Sequence, residues 1–121
     1  MMRPPVGERT LYTKWFRVMG GLGLLKFVDD RGPAHAEAVA GRAMAEADRI
    51  ERKYSRFIPH SVISRINRNA GRTPVAVDEE TVTLIERALR LARETGGAFD
   101  PTVGVLRRLW NFREAEVPSS E

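Results

Sequence analysis

The apolar residues change their period once along this chain, and that change constrains the fold more than any other feature. "TLYTKWFRVM" alternates imperfectly and is rich in Thr, Tyr, Trp, Phe and Val, which predicts a strand from about Leu11 to Val18. A second apolar run, "LGLLKFVD", follows at once across Gly20-Gly21, so the pair reads as a hairpin. From Pro33 the spacing becomes three to four residues. Val39, Ala43, Ala47, Ile50 and Tyr54 then place one stripe of a long helix inward, and the alanines let that helix lie close to a sheet. Pro33 suits the first turn, where a missing N–H costs nothing. Two strands followed by helices define an α+β unit, an N-terminal β-hairpin packed by several helices.

The rest of the chain continues in helices. "SVISRINRNAG" predicts a short helix with Ser61 as N-cap, Val62, Ile63 and Ile66 as apolar anchors, and Asn69-Ala70-Gly71 as the stop. "TPVAV" is a brief extended piece. "DEETVTLIERALRLARETGG" predicts a helix capped by Asp78 and ended by Gly96, with Val82, Ile85, Leu89 and Ala92 inward and Glu79 and Glu80 matched to its dipole. "PTVGVLRRLWNF" reads as a further helix that buries Val105, Leu106 and Leu109. The closing Pro118-Ser119-Ser120-Glu121 has the form of a helix start, which sets the expectation that this chain is the front part of something longer.

Composition excludes several function classes. With 121 residues, 42% hydrophobic and 30% charged, the chain suits one soluble unit with a small core. The formal charge of +4 admits an anionic partner. Lys/Arg and Asp/Glu alternate rather than forming a basic block, however, which argues against a nucleic-acid footprint. There is no Cys, so disulfides, thiolate metal sites and Cys nucleophiles are excluded. No segment has the apolar length of a membrane span, and the start "MMRPPVGERTLYTKWF" lacks the apolar centre of a secretory signal, so a cytoplasmic location is expected. Residues 1–10 read as a flexible start.

Few groups are arranged for chemistry. His35 and His60 lie in different elements without a third ligand at metal spacing, and no nucleophile elbow or phosphate-binding Gly-rich loop is present. Two stretches stand out. In "YSRFIPHSVISRINRNAG", Tyr54 and Phe57 precede a proline turn and a helix N-terminus capped by Ser61, an arrangement that can hold a phosphate or a ring; the plainer alternative is two core aromatics and an ordinary cap. In "TGGAFDPTVG", Asp100 before Pro101 is well placed to cap a following helix, which accounts for every residue except the Ala98-Phe99 pair.

Taken together, in this order, the two stretches resemble the ApbE family of FAD:protein FMN transferases. The matching positions are Met19-Gly20, Ser55 and Phe57 through Ser61 to Asn67, Thr95 to Gly104, and Leu109-Trp110 with Phe112, so the resemblance covers about residues 15–121. Gly21 stands where the family usually has Thr, Phe57 where Tyr is usual, Val105 for Pro and Asn111 for Gly.

The resemblance implies that residues 1–121 form the N-terminal part of a single FMN transferase domain, an incomplete part of a larger T-fold-like unit. It implies that Met19, Phe57, Ala98, Phe99 and Asp100 bind FAD as substrate. The reaction it implies moves FMN to a Thr or Ser hydroxyl of an acceptor protein, with release of AMP. Magnesium is implied too, with ligands outside this chain, and no catalytic residue is assigned within it. The alternatives are a non-catalytic flavin- or anion-binding module and a small basic nucleic-acid-binding protein.

Overall fold

A computed structural model describes residues 8–108, which divide into two compact units at Val75/Ala76. In the first unit, strand β1 (Thr10–Val18) pairs antiparallel with β2 (Gly21–Asp29) in register from Val18↔Gly21 to Thr10↔Asp29. The hairpin is as expected, but its turn sits one residue earlier than Gly20-Gly21. Met19 (φ 51°) and Gly20 (φ 74°) are the central residues, and Gly21 already belongs to the ladder. A two-residue loop between right-twisted strands takes a type I′ turn, which needs positive φ at both centres.

Alternation gives the hairpin two faces. Tyr12, Phe16, Val18, Leu25 and Phe27 are half-buried, with the Tyr12 and Phe27 rings stacked at 5.7 Å across the strands. Gly23 makes room on that face: a Cβ there would lie 2.7 Å from a Val18 methyl and 3.2 Å from the Phe16 ring. Leu11, Trp15, Leu22, Leu24 and Val28 form the other face and are exposed.

Helix α1 (Pro33–Tyr54) packs on both strands and on α2 (Val62–Asn69). The expected stripe of Val39, Ala43, Ala47, Ile50 and Tyr54 is half-buried, and Ala36 and Ala40 beside it are the deepest apolar residues, each 2% exposed. Small side chains at the contact bring a helix backbone close to a sheet. The β2–α1 junction is tied by Asp29, whose carboxylate accepts from the Arg31 N–H at 2.6 Å and lies 2.5 Å from His35 Nδ1. Burial pushes the Asp29 carboxyl up, but the hydrogen bonds from Arg31 and His35 and their charges outweigh it and hold the group below the ordinary range. Ser61 caps α2 by accepting from the Ser64 N–H at 3.1 Å, as its sequence position predicts.

In the second unit, helix α3 (Glu79–Glu94) begins at Asp78, which accepts from the Thr81 N–H at 3.1 Å. It ends in a Schellman motif, with Gly97 N–H on Ala92 O and Gly96 N–H on Arg93 O; the φ of 59° at Gly96 is why glycine is needed there. The buried line of α3 differs from the expected one. Thr81 is fully buried and Ile85, Ala88 and Ala92 half-buried, whereas Val82 and Leu89 are exposed. At 100° per residue, Val82 and Leu89 flank that line on one side and Leu84 and Leu91 on the other, so the apolar band covers roughly half the helix circumference. A band that wide does not specify its own centre.

The expected last helix is also corrected. Val103–Arg108 is a 3-10 segment, and Val105 and Leu106 are exposed rather than buried. Gly104 between two valines is poor α-helical sequence. Leu109, the Trp110 to Phe112 motif residues and the Pro118 to Glu121 segment lie outside the described residues. Among the described residues no helix is long and apolar enough to cross a membrane.

Candidate functional site

The hairpin tip and the end of α1 enclose a cleft of about 510 Å³. Met19 and Gly20 form one side, and Ile50, Glu51, Tyr54 and the loop Ser55 to Ile58 form the other. The loop is shaped by local hydrogen bonds. Ser55 Oγ accepts from the Phe57 N–H at 3.2 Å, the Ser61 N–H donates to Ile58 O at 3.1 Å, and Ser64 Oγ donates to Arg56 O at 3.2 Å. These bonds turn Phe57 outward, where 65% of it is exposed and the Arg56 guanidinium stands 5.0 Å from the ring centroid. The reading of Phe57 as a core aromatic therefore fails, because its backbone is committed to the turn that precedes the α2 cap. Tyr54 is half-buried, with Lys53 Nζ 5.3 Å from its ring centroid.

The structure thus brings Met19 and Phe57, 38 positions apart in sequence, into one cleft. It also supplies a residue that sequence reading missed. Glu51 Oε2 accepts the Met19 N–H at 2.8 Å. A signal for it does exist: a carboxylate in the last turn of α1, beside Arg52 and Lys53, opposes the helix dipole that those two basic residues satisfy.

Ala98, Phe99 and Asp100 follow one another in the second unit, on the loop after α3. Thr95 Oγ1 donates to Leu91 O at 2.8 Å and accepts the Phe99 N–H at 3.0 Å, which fixes the loop against the helix end. Asp100 Oδ1 accepts from both the Thr102 N–H and Thr102 Oγ1, each at 2.7 Å. Those two bonds hold its carboxyl below the ordinary range, against a smaller opposing effect of desolvation. Asp100 thus closes a local turn over Pro101-Thr102 rather than capping an α-helix, since the 3-10 segment begins only at Val103, and it is exposed together with Ala98 and Phe99. His35 pairs with Asp29, and His60 is exposed in the loop before α2. Among the described residues no three His, Cys, Asp or Glu side chains gather as a metal site.

The model of the ApbE family matches residues 19–121, and this chain belongs to that family. A relative named FAD:protein FMN transferase, from Treponema pallidum (strain Nichols), is 32% identical over 112 residues, covering 91% of this chain and 31% of that protein. A second of the same name, from Klebsiella pneumoniae (strain 342), is 35% identical over 85 residues, covering 70% of this chain and 24% of its own length. Among solved structures, the flavin transferase ApbE from Vibrio cholerae matches with TM-score 0.76 and 28% identity, over 93% of this chain and 38% of that one. The ApbE protein from Thermotoga maritima matches with TM-score 0.74 and 33% identity, over 91% and 36%. The chain therefore spans about a third of the length of the relatives it matches. The α+β hairpin-and-helix architecture is that of the corresponding part of ApbE proteins.

Proposed function

We propose that this chain provides part of the FAD site of a cytoplasmic FAD:protein FMN transferase, as the N-terminal portion of a single transferase domain. The observation that carries the reading is the cleft gathering Met19 and Phe57, in a chain whose family relatives bear that enzyme's name. An apolar, aromatic-lined cleft suits a planar ring, and the Arg56 guanidinium beside Phe57 suits an anionic ligand that carries one. In this reading Ala98 and Phe99 contact the flavin nucleotide. Asp100 accepts a hydrogen bond from it, since a carboxylate has acceptor sites beyond those that Thr102 uses.

In the proposed reaction a Thr or Ser hydroxyl oxygen of the acceptor protein attacks the phosphorus on the FMN side of the FAD pyrophosphate. The bond from that phosphorus to the bridging oxygen breaks, AMP departs with that oxygen, and the hydroxyl proton is lost. In this reading the chain's residues bind and orient the flavin nucleotide, and the proton acceptor is not assigned to any of them. No step is assigned to magnesium, whose ligands are proposed to lie outside this chain.

The test is to incubate the protein as its gene encodes it with FAD, magnesium and an acceptor bearing a Ser/Thr-containing segment, reading flavin fluorescence in the denaturing gel and AMP release. Covalent labelling with one AMP per flavin is expected. Residues 1–121 alone are expected not to transfer, and robust transfer by them would overturn this division of labour. Absence of both FAD binding and labelling in the encoded protein would overturn the reading itself.

A further inference from the structure

We infer that Glu51 is a positioning residue for the ligand cleft, holding Met19 in a backbone conformation that its own sequence does not favour. The inference rests on the proposed FAD reading of that cleft. Met19 is the one non-glycine residue with positive φ among the described residues, and its turn is of the kind that Asn-Gly or Gly-Gly forms unaided. With methionine at the first centre, Cβ crowds the backbone and the left-handed state is disfavoured, so local chemistry leaves the hairpin tip underdetermined.

The tip is fixed instead from 32 positions away by the Glu51 carboxylate on the Met19 N–H at 2.8 Å. An N–H bound by a charged acceptor makes a stronger bond than one bound by a neutral acceptor. Glu51 also stands where the helix dipole opposes it, in the last turn of α1, so its place is not explained by the helix that carries it. Both residues line the cleft with Tyr54 and Phe57, and 64% of Met19 is exposed. The bond therefore sets where the Met19 side chain stands at the rim, and its effect reaches a ligand through Met19 rather than by contact.

The experiment is an FAD titration by flavin fluorescence on the protein as its gene encodes it, for wild type, Glu51→Ala, Glu51→Gln, Met19→Gly and the Met19→Gly/Glu51→Ala double variant, with melting temperatures recorded alongside. Glu51→Ala is expected to weaken FAD binding about three- to tenfold, the lower range for a partly exposed charged hydrogen bond. Glu51→Gln, which keeps a carbonyl acceptor, is expected to recover most of that affinity. In the Met19→Gly background the Glu51→Ala penalty is expected to shrink, because glycine adopts positive φ without a clamp.

A merely structural role would lower the melting temperature without this coupling. An unchanged affinity in Glu51→Ala, a Glu51→Gln as weak as Glu51→Ala, or equal penalties in the two backgrounds would each overturn the inference while leaving the FAD reading in place. Wild type without FAD affinity would remove that reading, and this inference with it, before any variant is compared.

Discussion

In residues 8–75, groups far apart in sequence meet, the Met19 N–H with Glu51, Lys14 with Glu37, and Ser64 Oγ with Arg56 O. In residues 76–108, the bonds that shape the turns join neighbours two to four positions apart, Asp78 with the Thr81 N–H, Thr95 with Leu91 O and the Phe99 N–H, and Asp100 with the Thr102 N–H. The first unit closes on a sheet and has its deepest apolar contacts at Ala36 and Ala40; the second leaves Val82, Leu84, Leu89, Leu91 and Phe99 exposed. A turn shaped by its own residues keeps its form whatever surrounds it, while a cleft made by distant elements depends on their packing. The proposed FAD-binding residues of each unit should therefore answer differently to mutation, and the expected effects on stability run from large in the first unit to nearly silent in the second.

The largest effect is expected at the contact between helix and sheet. Ala40 is 2% exposed, so Ala40→Leu forces α1 off the strands and should cost about 1–3 kcal/mol. Thermal unfolding should show the loss, and the cleft should loosen with it, weakening FAD binding in parallel. A variant as stable as wild type would mean that α1 is not seated on small side chains as described.

The β2–α1 junction should follow, with a dependence on pH. The folded Asp29 carboxyl is held below its ordinary range, so its stabilising contribution is fully present above the unfolded value of about 3.9 and is lost as pH falls through the folded one. Asp29→Ala should lower the melting temperature clearly at neutral pH and progressively less in acid, until the two curves converge. A gap that stays constant down to strongly acidic pH would show that Asp29 acts by shape rather than by charge.

Met19 should give a smaller effect of opposite sign. Met19→Asn creates the Asn-Gly pair that type I′ turns favour and should stabilise the hairpin by about 1 kcal/mol. FAD affinity should nonetheless fall, because the side chain at the cleft rim has been exchanged. Gain in both stability and affinity would place Met19 outside the binding surface.

How much of this was legible in the sequence follows the same division. The caps at Ser61 and Asp78 and the Gly96 stop are legible because each depends on residues within four positions; the Asp100 bond to Thr102 is as local, but it closes a turn and not the helix start its sequence suggests. The hairpin was readable from its alternation. Its turn was misplaced by one residue because Gly20-Gly21 is the better turn dipeptide, and only the strand register shows that Met19 takes the first centre. The buried line of α3 was misjudged because its apolar band is too wide to name one face. Met19 and Phe57 follow from the family resemblance, whereas for Glu51 the sequence shows only a carboxylate that opposes the α1 dipole, and its partner 32 positions away is visible only in the fold.

Asp100 should show the smallest change in stability and the sharpest separation of roles. Its Oδ1 accepts from the Thr102 N–H and hydroxyl, and an asparagine carbonyl oxygen can accept both. Asp100→Asn should therefore leave the melting temperature almost unchanged, since Asn and Asp side chains both bond the backbone two residues on in such turns. If the carboxylate also accepts a hydrogen bond from the flavin nucleotide, the same variant removes a charge and exchanges one acceptor for a donor. FAD affinity should then fall about three- to tenfold, a range kept low because the residue is exposed. The pH profile gives an independent check. With the Asp100 carboxyl held below the ordinary range, its contribution to binding should persist at neutral and mildly acidic pH and disappear only when the group protonates, and Asp100→Asn should lack that acidic limb. Equal FAD affinity in wild type and Asp100→Asn at neutral pH, with unchanged melting temperature, would leave Asp100 a turn residue only and confine the binding surface of this chain to the cleft of the first unit.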